Sequence, residues 1–136
     1  MLNWLKQRLT LPGQTQAILD QAIDAVITIN EDNNVIYFNA AAERLWGYKA
    51  HEVVGKNVKL LVPEAHRSKH DQYVNTNRNG GPDKVVGSSL DLETYHRNGQ
   101  KLWVNLSLSK IIRNGKIHYT AFLKDVTQQR EQTALI

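Results

Sequence analysis

One stretch of the chain combines metal-binding side chains with an apolar surface at helical spacing. At 3.6 residues per turn, one helical stripe collects His66, His70, Tyr73, Val74 and Asn77. A neutral imidazole can bind a metal through one ring nitrogen while the other donates a hydrogen bond. Because His70 shares its stripe with Tyr73 and Val74, we expect it to face the interior as a candidate metal ligand. A histidine that only packs is the structural alternative.

The same spacing leaves a zinc site as a second possibility. His66 and His70 are one turn apart, and two histidines at that spacing can chelate zinc. A zinc site needs a third ligand, and neither a carboxylate nor another histidine converges on this stripe. We therefore expect His66 to lie in solvent at the start of the helix. The other histidines lie in turns or on a strand and carry no motif: His51, His96 and His118.

Length and composition predict one soluble domain. The chain has 136 residues, of which 41% are hydrophobic and 22% charged. No apolar run approaches the roughly 20 residues that a membrane-spanning helix needs, and a cytoplasmic location is expected. With no cysteine, a disulfide, a thiolate metal site and a cysteinyl adduct with a flavin are all excluded.

The basic charge does not predict a nucleic-acid partner. The net charge is +4 and the sequence pI about 9.4. The lysines and arginines are scattered singly or in pairs, with no basic helix or stripe interleaved with aromatic residues. A solvated surface therefore explains them.

The order of predicted elements indicates an α+β domain. The amphipathic N-terminal segment with Leu2, Leu5 and Leu9 predicts helix over residues 2–24, broken at Pro12-Gly13. The remaining elements are a strand hairpin (25–30 and 35–38), helices at 40–46 and 51–54, a long helix from Pro63 to Gly80, and strands at 85–95, 102–109 and 117–123. Asn39 is the predicted N-cap of the helix that Gly47 ends. We expect one antiparallel sheet with short helices on one face.

Four motifs in this order resemble those of a PAS sensor domain. They are Phe38-Asn39-Ala40-Ala41-Ala42-Glu43, Leu45-Trp46-Gly47-Tyr48, Glu52-Val53-Val54-Gly55-Lys56 and Asp125-Val126-Thr127. The resemblance covers roughly residues 17–130 and implies a PAS fold with a five-stranded antiparallel sheet. It divides the chain into a connector (1–16), the sensor domain (17–127) and the start of an exit helix (128–136).

Within that family, His70-Asp71-Gln72-Tyr73-Val74 resembles the haem-binding helix of oxygen-sensing PAS domains. Such domains occur in the sensor kinases of nitrogen fixation and in a haem-regulated cyclic-di-GMP phosphodiesterase. The resemblance implies haem b, with His70 as the proximal iron ligand and a diatomic gas (O2, CO or NO) on the opposite side.

The residues expected around that haem follow from the same placement. Tyr73 and Val74 share the stripe of His70, and Ser88 begins the strand opposite. Arg78 and Lys84 are the candidate partners of the propionates. Lys84 is the first choice, since it takes the place of a propionate-contacting histidine in the kinases. The macrocycle needs aliphatic walls, which two strands supply at period-2 spacing: Leu90 and Leu92 from one, Leu106 and Leu108 from the other.

Two positions depart from the haem-sensor pattern. Leu90 stands where the relatives have an arginine that hydrogen-bonds bound dioxygen. Ser88 stands where the phosphodiesterase has a methionine as sixth iron ligand. The proximal half of the pattern is therefore present and the distal polar half is absent, so the resemblance implies haem without implying that the gas is oxygen.

The sequence is also compatible with functions other than haem binding. The same cavity could hold a flavin or a small metabolite, or be filled by side chains in an interaction-only PAS domain. No nucleophile–base pair, phosphate loop or carboxylate dyad predicts an enzyme. A sensor needs an output, so the tail after Thr127 is expected to lead into a chemoreceptor signalling region, a histidine kinase or a cyclic-di-GMP enzyme. The N- and C-terminal helices are expected to pair in a homodimer.

Overall fold

A five-stranded antiparallel sheet forms the body of the molecule, in a computed structural model that describes residue 18 and residues 23–134. Its strands are β1 (Ala25–Ile29), β2 (Val35–Phe38), β3 (Ser89–Tyr95), β4 (Lys101–Arg113) and β5 (Lys116–Asp125). Their order across the sheet is β2-β1-β5-β4-β3. Strand β5 is therefore central, and β2 and β3 are the two edges.

Short helices fill the long connection between β2 and β3. They are α1 (Ala40–Trp46), α2 (Ala50–Val53) and α3 (Arg67–Arg78), with 3-10 turns at Val58–Leu61 and Glu64–His66, and α4 (Thr127–Ala134) follows β5. Side chains of α1, α2 and the first 3-10 turn share one core with β1 and β5. The predicted α+β class is confirmed.

Turn chemistry fixes the hairpin that carries the longest strands. Asn114 and Gly115 have positive φ angles of 50° and 75° and form a two-residue loop between β4 and β5. Two consecutive positive φ angles belong to the hairpin turn whose twist matches that of the strands, and asparagine and glycine adopt it most readily. The turn sets a register that runs from Arg113–Lys116 to Val104–Asp125.

Asn39 joins the start of α1 to the sheet. Its Oδ1 atom accepts hydrogen bonds from the Ala42 and Val26 amides, both at 2.9 Å, and its Nδ2 atom donates to the Asp24 carbonyl at 3.1 Å. A buried side chain that caps a helix and binds a strand fixes the angle between them. The predicted N-cap is confirmed. Gly47 ends α1 at φ 82°, also as predicted.

Aromatic and polar contacts join α1 to the sheet inside the core. The rings of Phe38 and Trp46 stack with centroids 5.7 Å apart. The indole Nε1 of Trp46 donates to the Thr94 hydroxyl at 2.9 Å, and that hydroxyl donates to the Leu61 carbonyl at 3.0 Å. These two hydrogen bonds run in series from Trp46 through Thr94 to Leu61, so α1, β3 and the first 3-10 turn are held together at this end of the molecule.

The strand predicted at 85–95 begins four residues later, and this prediction is corrected. The Ser88 amide donates to the Val85 carbonyl at 2.9 Å, and Gly87 has a φ of 82°, so the chain turns before β3 starts at Ser89. Val86 makes one isolated parallel bridge with Leu108. The alternation of small and apolar residues continues back to residue 85, but the turn at Gly87 keeps these residues out of the strand.

The N-terminal predictions fall largely outside the described residues. Leu2, Leu5, Leu9 and the break at Pro12-Gly13 all precede residue 18. The predicted helix does not reach residue 24, because Ile23 and Asp24 form a bend that leads into β1. Among the described helices, none is both long and apolar enough to cross a membrane.

Candidate functional site

Hydrogen bonds to neighbouring segments hold both ends of helix α3. Among the described elements it packs chiefly against the two 3-10 turns that precede it. At its start, Arg67 Nε donates to the Val62 carbonyl at 3.0 Å. At its end, Arg78 donates to the Asn30 carbonyl at 2.9 Å and to Asn33 Oδ1 at 2.6 Å. Between these ends, Val74 packs against the hydrophobic core, so the side of α3 that carries His70 and Val74 is turned towards the sheet. We call the region between this side of α3 and the leucines of β3 and β4 the groove.

Asn77 sets the rotation of α3. The Tyr119 hydroxyl of β5 donates to Asn77 Oδ1 at 2.5 Å, while Asn77 Nδ2 donates to Asp83 at 2.7 Å and to the Pro82 carbonyl at 3.1 Å. Burial raises the pKa of Tyr119, so its hydroxyl stays protonated as a donor. Asn77 lies two turns after His70 on the same stripe, so this contact directs His70 towards the sheet.

Sequence reasoning placed Asn77 on the stripe and gave it no role, and it did not single out Tyr119. The available signal was a polar residue on an otherwise apolar helical face, which requires a buried partner. Its partner lies 42 residues away in the sequence, and nothing local to the chain identifies it.

The His70 imidazole is partly buried and holds an unsatisfied nitrogen. Its Nδ1 atom is buried and finds no hydrogen-bond partner within residue 18 and residues 23–134. Burial lowers the pKa of His70, and the carboxylate of the adjacent Asp71 opposes that shift. The ring is therefore neutral at pH 7, the form that binds metal ions. No backbone carbonyl of the described residues accepts a hydrogen bond from Nδ1.

The helical stripe of His70 is narrower than predicted. Val74 packs against the hydrophobic core, and Asn77 is buried. Tyr73 is 50% exposed, which corrects the expectation that it faces the interior, and the Lys84 ammonium lies 5.8 Å from its ring centroid. The Tyr73 side chain is turned partly towards solvent and lies at the rim of the groove. His66 is exposed at the start of α3, as predicted.

The opposite wall of the groove is aliphatic. Leu92 pairs with Val104 and Leu90 with Leu106, and Leu108 lies further along β4. These leucines share the face of the buried residues Val104 and Thr94. Leu92, Leu106 and Leu108 are only partly buried against the core, and Leu90 is 36% exposed. Four leucines left incompletely covered indicate a surface that an apolar group would fill.

The four side chains that could donate a hydrogen bond to a gas on this wall are all engaged elsewhere or face away. The Ser88 hydroxyl donates to the Val85 carbonyl at 2.9 Å. Ser89 begins β3 on the outer face, pairing with Ser107. Asn105 Nδ2 donates to Asp91 on the outer face at 2.9 Å, and Trp103 packs there under Arg130. The inner wall is therefore apolar.

Lys84 and Arg78, the two candidate cations for propionates, differ in how they are engaged. Arg78 binds the β1–β2 turn through both of its terminal nitrogens and lies 5.0 Å from the Tyr119 ring centroid. Lys84 is exposed at the rim beside Tyr73. The geometry therefore favours Lys84 as the cation that an anionic group at the groove can recruit.

The residues of this groove fit a haem group. One neutral imidazole with an orphaned ring nitrogen faces a wall of incompletely covered leucines, and a lysine stands at the rim. The described residues hold no group of three or more His, Asp or Glu side chains that could bind a bare metal ion. A surface depression of about 310 Å³ lies on another side of α3, lined by polar residues that include Asp71 and Asn75.

Comparison with known proteins identifies a matching family and two similar sensor proteins. A family model described as PAS fold matches residues 13–126. The chain is 41% identical over 118 residues to the Oxygen sensor protein DosP of Escherichia coli (strain K12), covering 85% of this chain and 15% of the relative. It is 31% identical over 119 residues to the Sensor protein FixL of Bradyrhizobium diazoefficiens, covering 88% of this chain and 24% of the relative.

A solved structure adds a relative of another kind. The fold is similar to that of an RNA-binding Light-Oxygen-Voltage receptor, with a TM-score of 0.66 and 26% identity, covering 91% of this chain and 37% of that one.

This chain spans less than a quarter of the length of each of the two sequence relatives, DosP and FixL. The greater part of those proteins has no counterpart in it.

Proposed function

Because this chain belongs to the PAS fold family, we propose that it is a sensor module that binds haem b and a diatomic gas. The observation that carries the proposal is the neutral, partly buried His70 with its unpartnered Nδ1, opposite the incompletely covered leucines of β3 and β4. Similarity to a protein named as an oxygen sensor supports it. When bound, haem supplies an iron with an axial position open to a gas.

Each side chain of the groove has a role in this proposal. His70 holds the iron through Nε2, since Nδ1 is the nitrogen turned into the protein. Leu90, Leu92, Leu106 and Leu108 cover the macrocycle and exclude water. Val74 packs beside His70, with Tyr73 and Lys84 at the rim, and the Lys84 ammonium neutralises a propionate. Arg78 holds the end of α3 in place.

The absorbance spectrum of the purified chain tests the proposal. Haem gives a red protein with an intense Soret band, and a flavin gives a yellow one. A colourless protein that gains no Soret band on titration with haemin would refute haem binding.

A flavin sensor is the second candidate, and the likeness to a Light-Oxygen-Voltage receptor favours it. With no cysteine in the chain, a cysteinyl adduct cannot form, so such a flavin would act by redox chemistry. A small-metabolite sensor and an interaction-only domain share the fold, but neither function requires a histidine that ligates a metal at position 70.

Output is proposed to lie in another domain. The DosP and FixL relatives extend far beyond the region they share with this chain, and a PAS module senses without catalysing. We propose that α4 leads to a kinase, a cyclic-di-GMP enzyme or a chemoreceptor signalling region. A cytoplasmic setting remains a prediction from composition.

Acid is expected to destabilise the fold in part through His70. Burial lowers the pKa of folded His70 below the ordinary histidine value of 6.5, so the unfolded chain binds a proton first as the pH falls. Stability contributed by neutral His70 is therefore complete above pH 6.5 and is lost as the pH falls from there towards the folded pKa. Urea unfolding of the haem-free protein from pH 7.5 to 5 measures this, with His70→Gln losing less stability than the wild type. His66→Gln, exposed one turn earlier, is the control, and equal slopes for all three proteins would contradict the prediction.

The N-terminal segment is proposed to mediate dimerisation. Leu2, Leu5 and Leu9 recur at helical spacing and lie outside the described residues. The described part of helix α4, the other expected contact, has no apolar residue before Ala134, so the N-terminal stripe is the part of the proposed contact that is tested first. Deleting residues 1–14 should weaken the dimer in sedimentation velocity by at least about tenfold, since three leucines would lose their burial. A protein that is monomeric with and without the segment would contradict this.

A further inference from the structure

Helix α4 cannot be held to the sheet by hydrophobic burial. Its sequence, Thr127-Gln128-Gln129-Arg130-Glu131-Gln132-Thr133-Ala134, has no apolar residue before the last position. Within the described residues, α4 is therefore attached to the rest of the chain by polar contacts.

The first turn of α4 is attached to β4 at Trp103. The Val126 amide donates to the Trp103 carbonyl at 2.8 Å, and the Trp103 amide donates to the Thr127 hydroxyl at 2.9 Å. Asp125 Oδ1 accepts from the Thr127 amide at 2.9 Å. These bonds fix where the helix starts and leave its direction free.

Arg130 supplies a contact that constrains the direction of α4. Its guanidinium carbon lies 3.9 Å from the centroid of the Trp103 ring, and its Nη1 lies 3.4 Å from Asp91 Oδ2. A guanidinium stacked on indole is among the better cation–π geometries. The Asp91 carboxylate is also fixed, because its Oδ1 accepts from Asn105 Nδ2 at 2.9 Å. One residue of α4 thus binds both β3 and β4.

Asp91 is the next residue after Leu90 and points to the opposite face of β3. Leu90 and Leu92 form the groove wall on the inner face, and Asp91 lies between them on the outer face. Strand β3 is at the edge of the sheet and, among the described strands, pairs only with β4. A shift of the wall relative to β4 therefore changes the distance from Asp91 to Arg130 directly.

We propose that Asp91, Trp103 and Arg130 form a latch that couples the position of the groove wall to helix α4. The latch as a mechanical contact is independent of any ligand. Its regulation by a gas rests on the proposed haem function: a ligand that presses against Leu90 moves β3, separates Asp91 from Arg130 and frees α4 for a new direction.

Hydrogen exchange tests the latch in the purified chain before any gas is added. Arg130→Gln removes the cation, and Asp91→Asn removes the carboxylate charge while keeping an acceptor for Asn105. Arg130→Gln should speed amide exchange in residues 128–134 by about three- to tenfold, the combined effect of losing an exposed cation–π contact and a surface ion pair. Asp91→Asn should speed it by a smaller factor, because the contact between Arg130 and Trp103 remains. Lys124→Gln is the matched control. It removes a cation from the same sheet face, and Lys124 makes no ion pair with any described residue. Unchanged exchange in Arg130→Gln, or an equal increase in Lys124→Gln, overturns the latch.

Carbon monoxide tests the regulation separately. In the haem-loaded wild type, the gas should speed exchange in residues 128–134, and in Arg130→Gln it should add little. Wild-type exchange that stays constant, while the absorbance spectrum shows that carbon monoxide has bound, overturns the regulation and leaves the haem proposal standing. A chain that never shows a haem spectrum overturns the proposed function and the gas regulation together, and the first experiment still decides whether the latch exists.

Discussion

Replacing His70 with alanine is expected to leave the protein with little bound haem. The variant should lower haem affinity by at least about a hundredfold, because it removes the proposed ligand to iron while the leucine wall alone binds the macrocycle weakly. The fold should tolerate the change, since His70 has an unpartnered buried nitrogen and its removal breaks no hydrogen bond with the described residues. The ratio of Soret to protein absorbance after haemin reconstitution measures the loss.

Added imidazole gives this experiment its internal check. A small imidazole that enters the cavity left by His70→Ala should restore part of the Soret absorbance, because it replaces the missing ligand without changing the fold. His66→Ala is the matched control, since His66 is an exposed histidine one turn away, and it should load haem like the wild type. Full haem retention with an unchanged spectrum in His70→Ala would remove His70 from the proposal, and loss of haem only in His66→Ala would transfer the role.

The second large effect is expected on the rate at which the groove releases dioxygen. Introducing Leu90→Arg is expected to slow dioxygen release by roughly ten- to a hundredfold, the equivalent of one charge-assisted hydrogen bond of about 1.5–3 kcal/mol. Dioxygen carries negative charge on its outer atom when bound to ferrous iron and gains from a donor, whereas carbon monoxide gains much less. Stopped-flow dissociation rates for both gases measure the difference.

The structure explains why the unmodified groove should hold dioxygen poorly. Leu90 has no donor, and the Ser88 hydroxyl donates to the Val85 carbonyl. Asn105 and Trp103 lie on the outer face with the latch. We therefore expect weak or rapidly oxidising dioxygen binding, ready binding of carbon monoxide and nitric oxide, and a five-coordinate resting iron, since Ser88 is a poor ligand.

A variant of similar size separates the donor from the shape of the side chain. Leu90→Met changes the apolar wall without adding a donor, so its dioxygen release rate should stay within about threefold of the wild type, as for other volume-conserving swaps. If the unmodified protein holds dioxygen as a stable complex, a donor outside those four residues reaches the gas. The module would then share the oxygen sensing that the name of its E. coli relative states.

The amino-acid sequence determined the fold to a large extent, because local rules specify where its helices begin and end and where the chain turns. Asn39 caps α1, Gly47 ends it, and Asn114-Gly115 turns the chain between β4 and β5, each through side-chain size or hydrogen bonding within a few residues. Period-2 alternation placed the leucines of β3 and β4 on one face. Where local patterns conflicted, as at Val85–Ser88, the strand was predicted too long.

The sequence also identified His70 as the candidate ligand, and it could not supply what orients that residue. The rotation of α3 depends on the Tyr119–Asn77 hydrogen bond, and the attachment of its end depends on Arg78 and the β1–β2 turn. Tyr73 is half exposed because that rotation, set from a distant strand, turns it to the rim.

The latch at Arg130 was equally invisible in the sequence, since Asp91, Trp103 and Arg130 meet only after β3 pairs with β4 and α4 turns back over them. Periodicity assigns a residue to a face, because one element has only two faces or one stripe. Which residues meet across elements is decided by tertiary packing, because the partners lie tens of residues apart and no local rule relates them.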